Sequence, residues 1–156
     1  MQCVEADVLL GEDDAAEAEL ILESLGTHAF ADRVHIARDG EEVLDFVFAR
    51  ADHASRALMP PPRLVILDIK LPKLTGLEVL RQLKHDRVAR LIPVVLLTSS
   101  NITRDVALGY ALGANSYVQK PVDFGAFRRT VQMVGTYWLE LNESIPRQPA
   151  IAERLP

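Results

Sequence analysis

Leu64-Val65-Ile66-Leu67-Asp68 is the stretch on which the fold turns. Four aliphatic residues run without a polar partner and stop at a carboxylate. A strand with no polar face is buried on both sides, the situation of a parallel sheet covered by helices. Val94-Val95-Leu96-Leu97 repeats the pattern and ends at Thr98. Working outward, Val8-Leu9-Leu10, Val34-His35-Ile36-Ala37 and Ser116 to Gln119 read as three further strands. Helical spacing lies between them. Asp14 to Glu17 has the spacing of a capping box, and Ala18, Ile21, Leu22 and Leu25 follow before Gly26. Asp39-Gly40 makes a turn into Val43, Leu44, Val47 and Phe48. Thr75 to Glu78 is a second capping box ahead of Leu80 and Leu83. Thr103 to Leu112 gives a fourth helix and Phe124 to Leu141 a long fifth. Strand and helix alternate five times. This predicts an α/β fold, a (βα)5 parallel five-stranded sheet with helices on both faces and right-handed crossovers.

The remaining composition narrows the class. At 156 residues one domain is expected, large enough to bury roughly 68–70% of its unfolded surface without staples. A net charge of −5 argues against a nucleic-acid footprint. Cys3 is the single cysteine, so no internal disulfide forms and a reducing cytoplasm is expected. No apolar run approaches the roughly 20 residues of a bilayer span. Met1 to Asp7 lacks a basic region, which argues against a secretory signal. Arg50 to Arg63, with Pro60-Pro61-Pro62, reads as a loose extended loop, and Ser144 to Pro156 as a tail. The expected division is a domain over 1–143, its core about 6–141, and a tail over 144–156.

In such sheets ligands bind beyond the carboxyl ends of the strands. There the sequence places Glu12-Asp13-Asp14, Asp68, Thr98-Ser99-Ser100 and Lys120-Pro121. Glu12, Asp13 and Asp68 together would repel one another and raise at least one pKa. A hard divalent cation removes the conflict. Mg²⁺ fits best, since one or two carboxylates with waters and phosphate oxygens hold it. An aspartate beside Mg²⁺ and a lysine is set up as a nucleophile toward phosphorus. Lys120 and the Thr98 hydroxyl stand where they could stabilise phosphoryl oxygens.

With these residues in order, the sequence resembles the receiver domain of two-component response regulators, the flavodoxin-like doubly wound fold of the chemotaxis regulators. The matching pieces are Leu9 to Asp14, Ala37 to Glu42, Leu67 to Pro72, Leu97 to Ser100 and Gln119 to Pro121, across about residues 6–141. Each piece is weak alone; five in the right order are specific. The resemblance implies Asp68 as phospho-acceptor. It implies Asp13, Asp68 and the Lys70 backbone carbonyl as Mg²⁺ ligands, with Glu12 acting through metal-bound water. Lys120 would pair with the phosphoryl group. Thr98 and Tyr117 would form the switch pair, and the Lys120–Pro121 bond would be cis. The Pro-rich loop, the Asp39 to Glu42 turn and Tyr137-Trp138-Leu139 also look like the stand-alone regulators of bacterial and cyanobacterial phytochrome kinases. That likeness implies a sensor histidine kinase as partner, a bacteriophytochrome; with too little chain left for an output domain, the signal is expected to pass to a separate downstream protein. Lys70, two positions after the acceptor, varies in the family and tunes phosphate lifetime.

Simpler roles compete at several positions. Asp68 alone would read as a strand-end cap; its company makes it an acceptor. Thr98 could satisfy a strand-end backbone group and Tyr117 be a sheet aromatic. Asp14 is explained by its cap. His28, His35, His53 and His85 show no metal-ligand spacing and are assigned no role. Phe127, Val131, Val134, Trp138 and Leu141 fall at alternating steps of four and three, a heptad-like stripe longer than sheet packing needs. It predicts a homodimer through the last helix. A phosphatase of the haloacid-dehalogenase type also uses a strand-end aspartate, Mg²⁺ and lysine. It wants a second aspartate where Lys70 stands, and a cap domain. A flavodoxin-like electron carrier would need a Ser/Thr/Gly-rich first loop in place of Gly11 to Asp14. A pseudo-receiver that only binds partners is the remaining alternative.

Overall fold

In the computed structural model the described residues are 6–26 and 33–146. Cys3, His28 and most of the expected tail lie outside them. The five apolar runs form strands β1 (Val8–Gly11), β2 (Val34–Ala37), β3 (Leu64–Leu67), β4 (Val94–Thr98) and β5 (Ser116–Gln119). All pair in parallel, in the order β2-β1-β3-β4-β5. The helices are α1 (Ala15–Leu25), α2 (Gly40–Phe48), α3 (Gly76–His85), α4 (Thr103–Ala111) and α5 (Phe124–Gly135). The order reverses between β1 and β3, which opens a crevice at their carboxyl ends.

Side chains alternate along each strand and so feed two cores. Leu9, Val65, Leu67, Val94 and Leu96 face α2 and α3, meeting Val43, Phe46, Val79, Leu80 and Leu83. Val8, Leu10, Leu64, Ile66, Val95 and Leu97 face α1 and α5, meeting Ala18, Ile21, Leu25, Phe127 and Val131. No described helix is long and apolar enough to cross a membrane.

Three expectations need correction. Residues 51–58 are not extended: they form a 3₁₀ segment, Ala51–Leu58. Arg56 anchors it, buried over the Phe46 ring at 3.6 Å and donating to the Phe46 and Pro60 carbonyls. The Lys120–Pro121 bond is trans, there being no cis peptide among the described residues. A cis X–Pro bond loses roughly 0.5–1 kcal/mol unless a tight turn requires it. Here the Lys120 N–H is fixed to the Thr98 carbonyl at 2.7 Å, and the chain then runs outward through exposed Val122.

The third concerns the last helix. Phe127 and Val131 are 4% and 1% exposed, inside the monomer's own core, and cannot also line a dimer surface. Val134 and Trp138 pack partly against the same core. After Gly135 the helix widens into a π-helical segment, Thr136–Leu141. The wider turn advances each residue by less angle, so Leu139 is the residue carried into the core. Of the expected stripe only Leu141 is largely exposed, at 69%.

Candidate functional site

The sheet register builds the site. Gly11 pairs with Leu67 in neighbouring strands, so the next residues, Glu12 and Asp68, emerge side by side. The Asp68 N–H donates to the Gly11 carbonyl at 3.0 Å, and the Glu12 N–H to that of Ala37 at 3.0 Å. One strand further, Thr98 pairs with Gln119, which aims Lys120 back toward β3. The Lys120 Nζ donates to Asp68 Oδ2 at 2.8 Å and to Glu12 Oε2 at 2.8 Å. It also reaches Glu17 Oε2 at 2.6 Å. Both carboxylates from the strand ends are buried, and so is the lysine.

Electrostatics follow from that packing. Burial disfavours the charged form of Glu12 and lifts its carboxyl to about 7, against the opposing pull of Lys120. Burial alone would lower the Lys120 ammonium. Its hydrogen bonds to Asp68, Glu12 and Glu17 outweigh that and hold it above the usual lysine range. Three carboxylates around one ammonium leave an excess of negative charge. The group of Glu12, Glu17 and Asp68 can converge on one ion, with an oxygen from each within 4.8 Å of the others. An all-oxygen donor set with surplus charge fits Mg²⁺ or Mn²⁺.

Asp13 is exposed and is not one of those three convergent carboxylates. The Lys70 side chain is exposed as well, while its N–H donates to Asp68 Oδ1 at 3.3 Å. By its spacing Glu17 is only the partner of the Asp14 cap. The Glu17 N–H does donate to Asp14 Oδ1 at 2.9 Å, but the reciprocal arm of the box is taken by Glu12, whose Oε1 accepts from the Asp14 N–H at 3.1 Å. That frees the Glu17 carboxylate for Lys120. The only advance signal was its place one turn into α1, above the acidic loop. At α3 the Thr75–Glu78 box is complete in both directions.

Thr98 is fully buried, and its Oγ1 accepts from the Ser100 N–H at 3.3 Å. The Tyr117 hydroxyl donates to the Ser100 carbonyl at 2.8 Å, and burial pushes its phenol up. Thr98 and Tyr117 thus hold the two sides of one loop residue. Ser100 in turn donates to Asp105 of α4 at 2.6 Å.

The pattern of the response regulator receiver domain matches residues 8–132. The probable methanogenesis regulatory protein FilR2 of Methanothrix harundinacea is 40% identical, over 88% of this chain and 86% of its own. Response regulator Rcp1 of Synechocystis sp. is 35% identical, over 85% of this chain and 88% of its own. The Mn²⁺-bound crystal structure of Rcp1 superposes with a TM-score of 0.83, at 33% identity, over 89% of this chain and 98% of its own. The phosphorylated cyanobacterial phytochrome response regulator RcpA gives a TM-score of 0.85, at 30% identity, over 91% of this chain and 99% of its own.

Proposed function

The chain belongs to the response regulator receiver family, and from that premise we propose that Asp68 accepts a phosphoryl group from the phosphohistidine of a sensor histidine kinase. Receiver domains are signalling modules rather than turnover enzymes, and they bind Mg²⁺ or Mn²⁺ at an acidic pocket. The observation that carries the proposal is the seating of the Lys120 ammonium on Asp68 Oδ2 at 2.8 Å from two strands away. It orients the carboxylate and sets a positive charge beside the attacking oxygen.

In the transfer an Asp68 oxygen forms the new O–P bond as the P–N bond to the kinase imidazole breaks. The bonding pair leaves on the imidazole nitrogen. Lys120 balances charge on the incoming phosphoryl oxygens, and the Thr98 hydroxyl donates to one of them. Glu12, Asp13, Asp68 and the Lys70 carbonyl are the proposed metal shell, and Glu17 joins the candidates. Bound Mg²⁺ supplies neutralisation and orientation of the phosphoryl oxygens. When Thr98 turns to the phosphoryl group it releases the Ser100 N–H. Tyr117 loses its fixed acceptor in the same loop, and the surface from β4 to α5 changes. A downstream protein reads that surface. The likeness to RcpA, named as a cyanobacterial phytochrome response regulator, supports a phytochrome-type kinase as the donor.

The test is intact mass after exposure to a small acyl phosphate with Mg²⁺. Wild type is expected to gain one phosphoryl group, and Asp68→Asn or chelated wild type none. An adduct of equal yield on Asp68→Asn defeats the assignment.

A second copy of the chain is the proposed cover for the exposed row Met133, Tyr137 and Leu141, spaced four apart along the last helix. Three large apolar side chains in a row are costly to leave in water. Leu141→Glu with Tyr137→Glu is expected to convert a dimer to a monomer in light scattering. A mass unchanged by the pair rejects this surface.

A further inference from the structure

A second cluster of metal-binding side chains lies at the far edge of the sheet, away from Asp68. His35 on β2, Glu42 on α2 and His53 in the Ala51–Leu58 segment bring one ligand atom each within 4.8 Å of the others. His35 Nε2 is 3.2 Å from Glu42 Oε1, and His53 Nε2 is 3.5 Å from the same oxygen. Two imidazole nitrogens therefore address a single carboxylate oxygen. Zn²⁺ ligands at about 2.0–2.1 Å in a tetrahedron stand about 3.3–3.4 Å apart. Both observed separations lie close to that edge length.

Each ligand is held by something else. The His35 ring stacks on Phe46 with centroids 4.3 Å apart and planes 13° from parallel. The His53 ring meets Phe46 edge-on at 5.1 Å and His35 at 5.2 Å. Glu42 Oε2 accepts from the Arg38 N–H at 3.0 Å, which fixes the carboxylate while Oε1 faces the rings. Rings and carboxylate are thus positioned before any ion arrives, the arrangement that favours tight coordination.

A solvent-accessible cavity of about 210 Å³ adjoins the cluster, lined by Glu42 and His53 and by Asp39, Glu41, Asp45 and Asp52. Lys73 is the one basic residue on its wall. Arg56 stands over the Phe46 ring at 3.6 Å and opposes a cation. Five carboxylates on the cavity wall outnumber Arg56, Lys73, which pairs with Asp39 and Glu41, and Arg50, which pairs with Asp45. The cavity leaves room for water at a fourth coordination position.

We propose that His35, Glu42 and His53 form a site for a borderline transition-metal ion of the Zn²⁺ class, separate from the acidic pocket. A donor set of two imidazoles and one carboxylate selects such ions over Mg²⁺, which takes oxygen ligands. The ion joins β2, α2 and the Ala51–Leu58 segment, three parts of the chain that also meet through the packing of Phe46 and Arg56.

The test uses tag-free, full-length protein in excess Mg²⁺, with Co²⁺ as a spectroscopic probe and Zn²⁺ as competitor. One equivalent of Co²⁺ is expected to give the visible bands of a low-coordinate N/O site, erased by Zn²⁺. The bands are expected to persist in Asp68→Asn. In His53→Ala the affinity is expected to fall at least about tenfold, with phosphoryl uptake retained as a check on folding. Bands abolished by Asp68→Asn or by Mg²⁺ would place the ion in the acidic pocket and overturn the proposal, as would equal affinity in His53→Ala or no binding at all. A measurement on wild type alone guards against a misfolded variant. Zn²⁺ is expected to shift the ring ¹⁵N resonances of both His35 and His53, and unshifted rings at saturating Zn²⁺ also overturn it.

Discussion

Lys120→Met is expected to lower stability by about 3 kcal/mol at neutral pH in metal-free buffer, the largest single-residue effect at the phosphoryl site. The lysine side chain is 5% exposed and within 2.8 Å of three carboxylates. Methionine fills much the same space without charge. Removing one partner of a buried ionic cluster leaves the others uncompensated, at roughly 3–5 kcal/mol. The lower end applies here because Glu17 is 42% exposed and can turn to water. The pH dependence has a definite sign. Burial already holds Glu12 at about 7, above its unfolded value near 4.5, so the folded state binds the extra proton between those values. Losing Lys120 raises Glu12 further. The variant's Glu12 therefore takes up its proton above pH 7, and the deficit relative to wild type narrows as pH falls toward 7. Urea unfolding of both proteins above and below pH 7 checks this. Equal midpoints at high pH, or a deficit that widens on acidification, would show that Lys120 is not what neutralises the cluster.

Gly76→Ala is expected to be comparably damaging, for a steric reason. A Cβ at Gly76 would lie 2.1 Å from the Asp68 carbonyl oxygen and 2.9 Å from both the Asp68 carbonyl carbon and Ile69 Cα. All three are backbone atoms, so no side chain can swing aside. The Gly76 N–H also donates to the Ile69 carbonyl at 2.7 Å, which holds the two segments together. Relief requires moving the β3–α3 connection that carries Asp68. We expect a loss of about 3 kcal/mol, at the upper end for overpacking. That corresponds to a fall of roughly 6–12 °C in Tm. Phosphoryl uptake should slow in parallel, because the acceptor's own carbonyl is displaced. Gly125→Ala is the control. Its Cβ would meet only the ends of Asp123 and Arg129, at 3.2 and 3.3 Å, and helix α5 should tolerate or gain from it. Equal melting temperatures for wild type and Gly76→Ala would contradict the close approach.

What could be read in advance follows from range along the chain. The runs at Leu64 to Leu67 and Val94 to Leu97 carry their own burial in their composition, and the parallel sheet with Asp68, Thr98 and Lys120 at its carboxyl edge follows from them. Those residues act through strand register, which periodicity exposes. Glu17 is hidden in the sequence because its spacing from Asp14 suffices to explain it as a capping residue. Only the fold shows that Glu12 takes that role and releases Glu17 to Lys120. The stripe from Phe127 to Leu141 misleads because heptad spacing presumes one uniform winding. The π-helical segment after Gly135 changes the winding and exchanges Leu139 for Leu141 in the core. His35 and His53 carry no local spacing at all. They meet because Arg56 folds the Ala51–Leu58 segment back over Phe46, a contact between distant parts of the chain that no short motif encodes.

The central claim is that the phosphoryl group resides on Asp68. Borohydride reduction of the phosphorylated protein converts an acyl phosphate to an alcohol and so marks the residue that carried it. Peptide mass mapping after phosphorylation with Mg²⁺ should find homoserine at position 68 and aspartate or glutamate unchanged at positions 12, 13 and 17. Homoserine absent at 68, with reduction at another carboxylate or a phosphoryl group stable to borohydride, would contradict it.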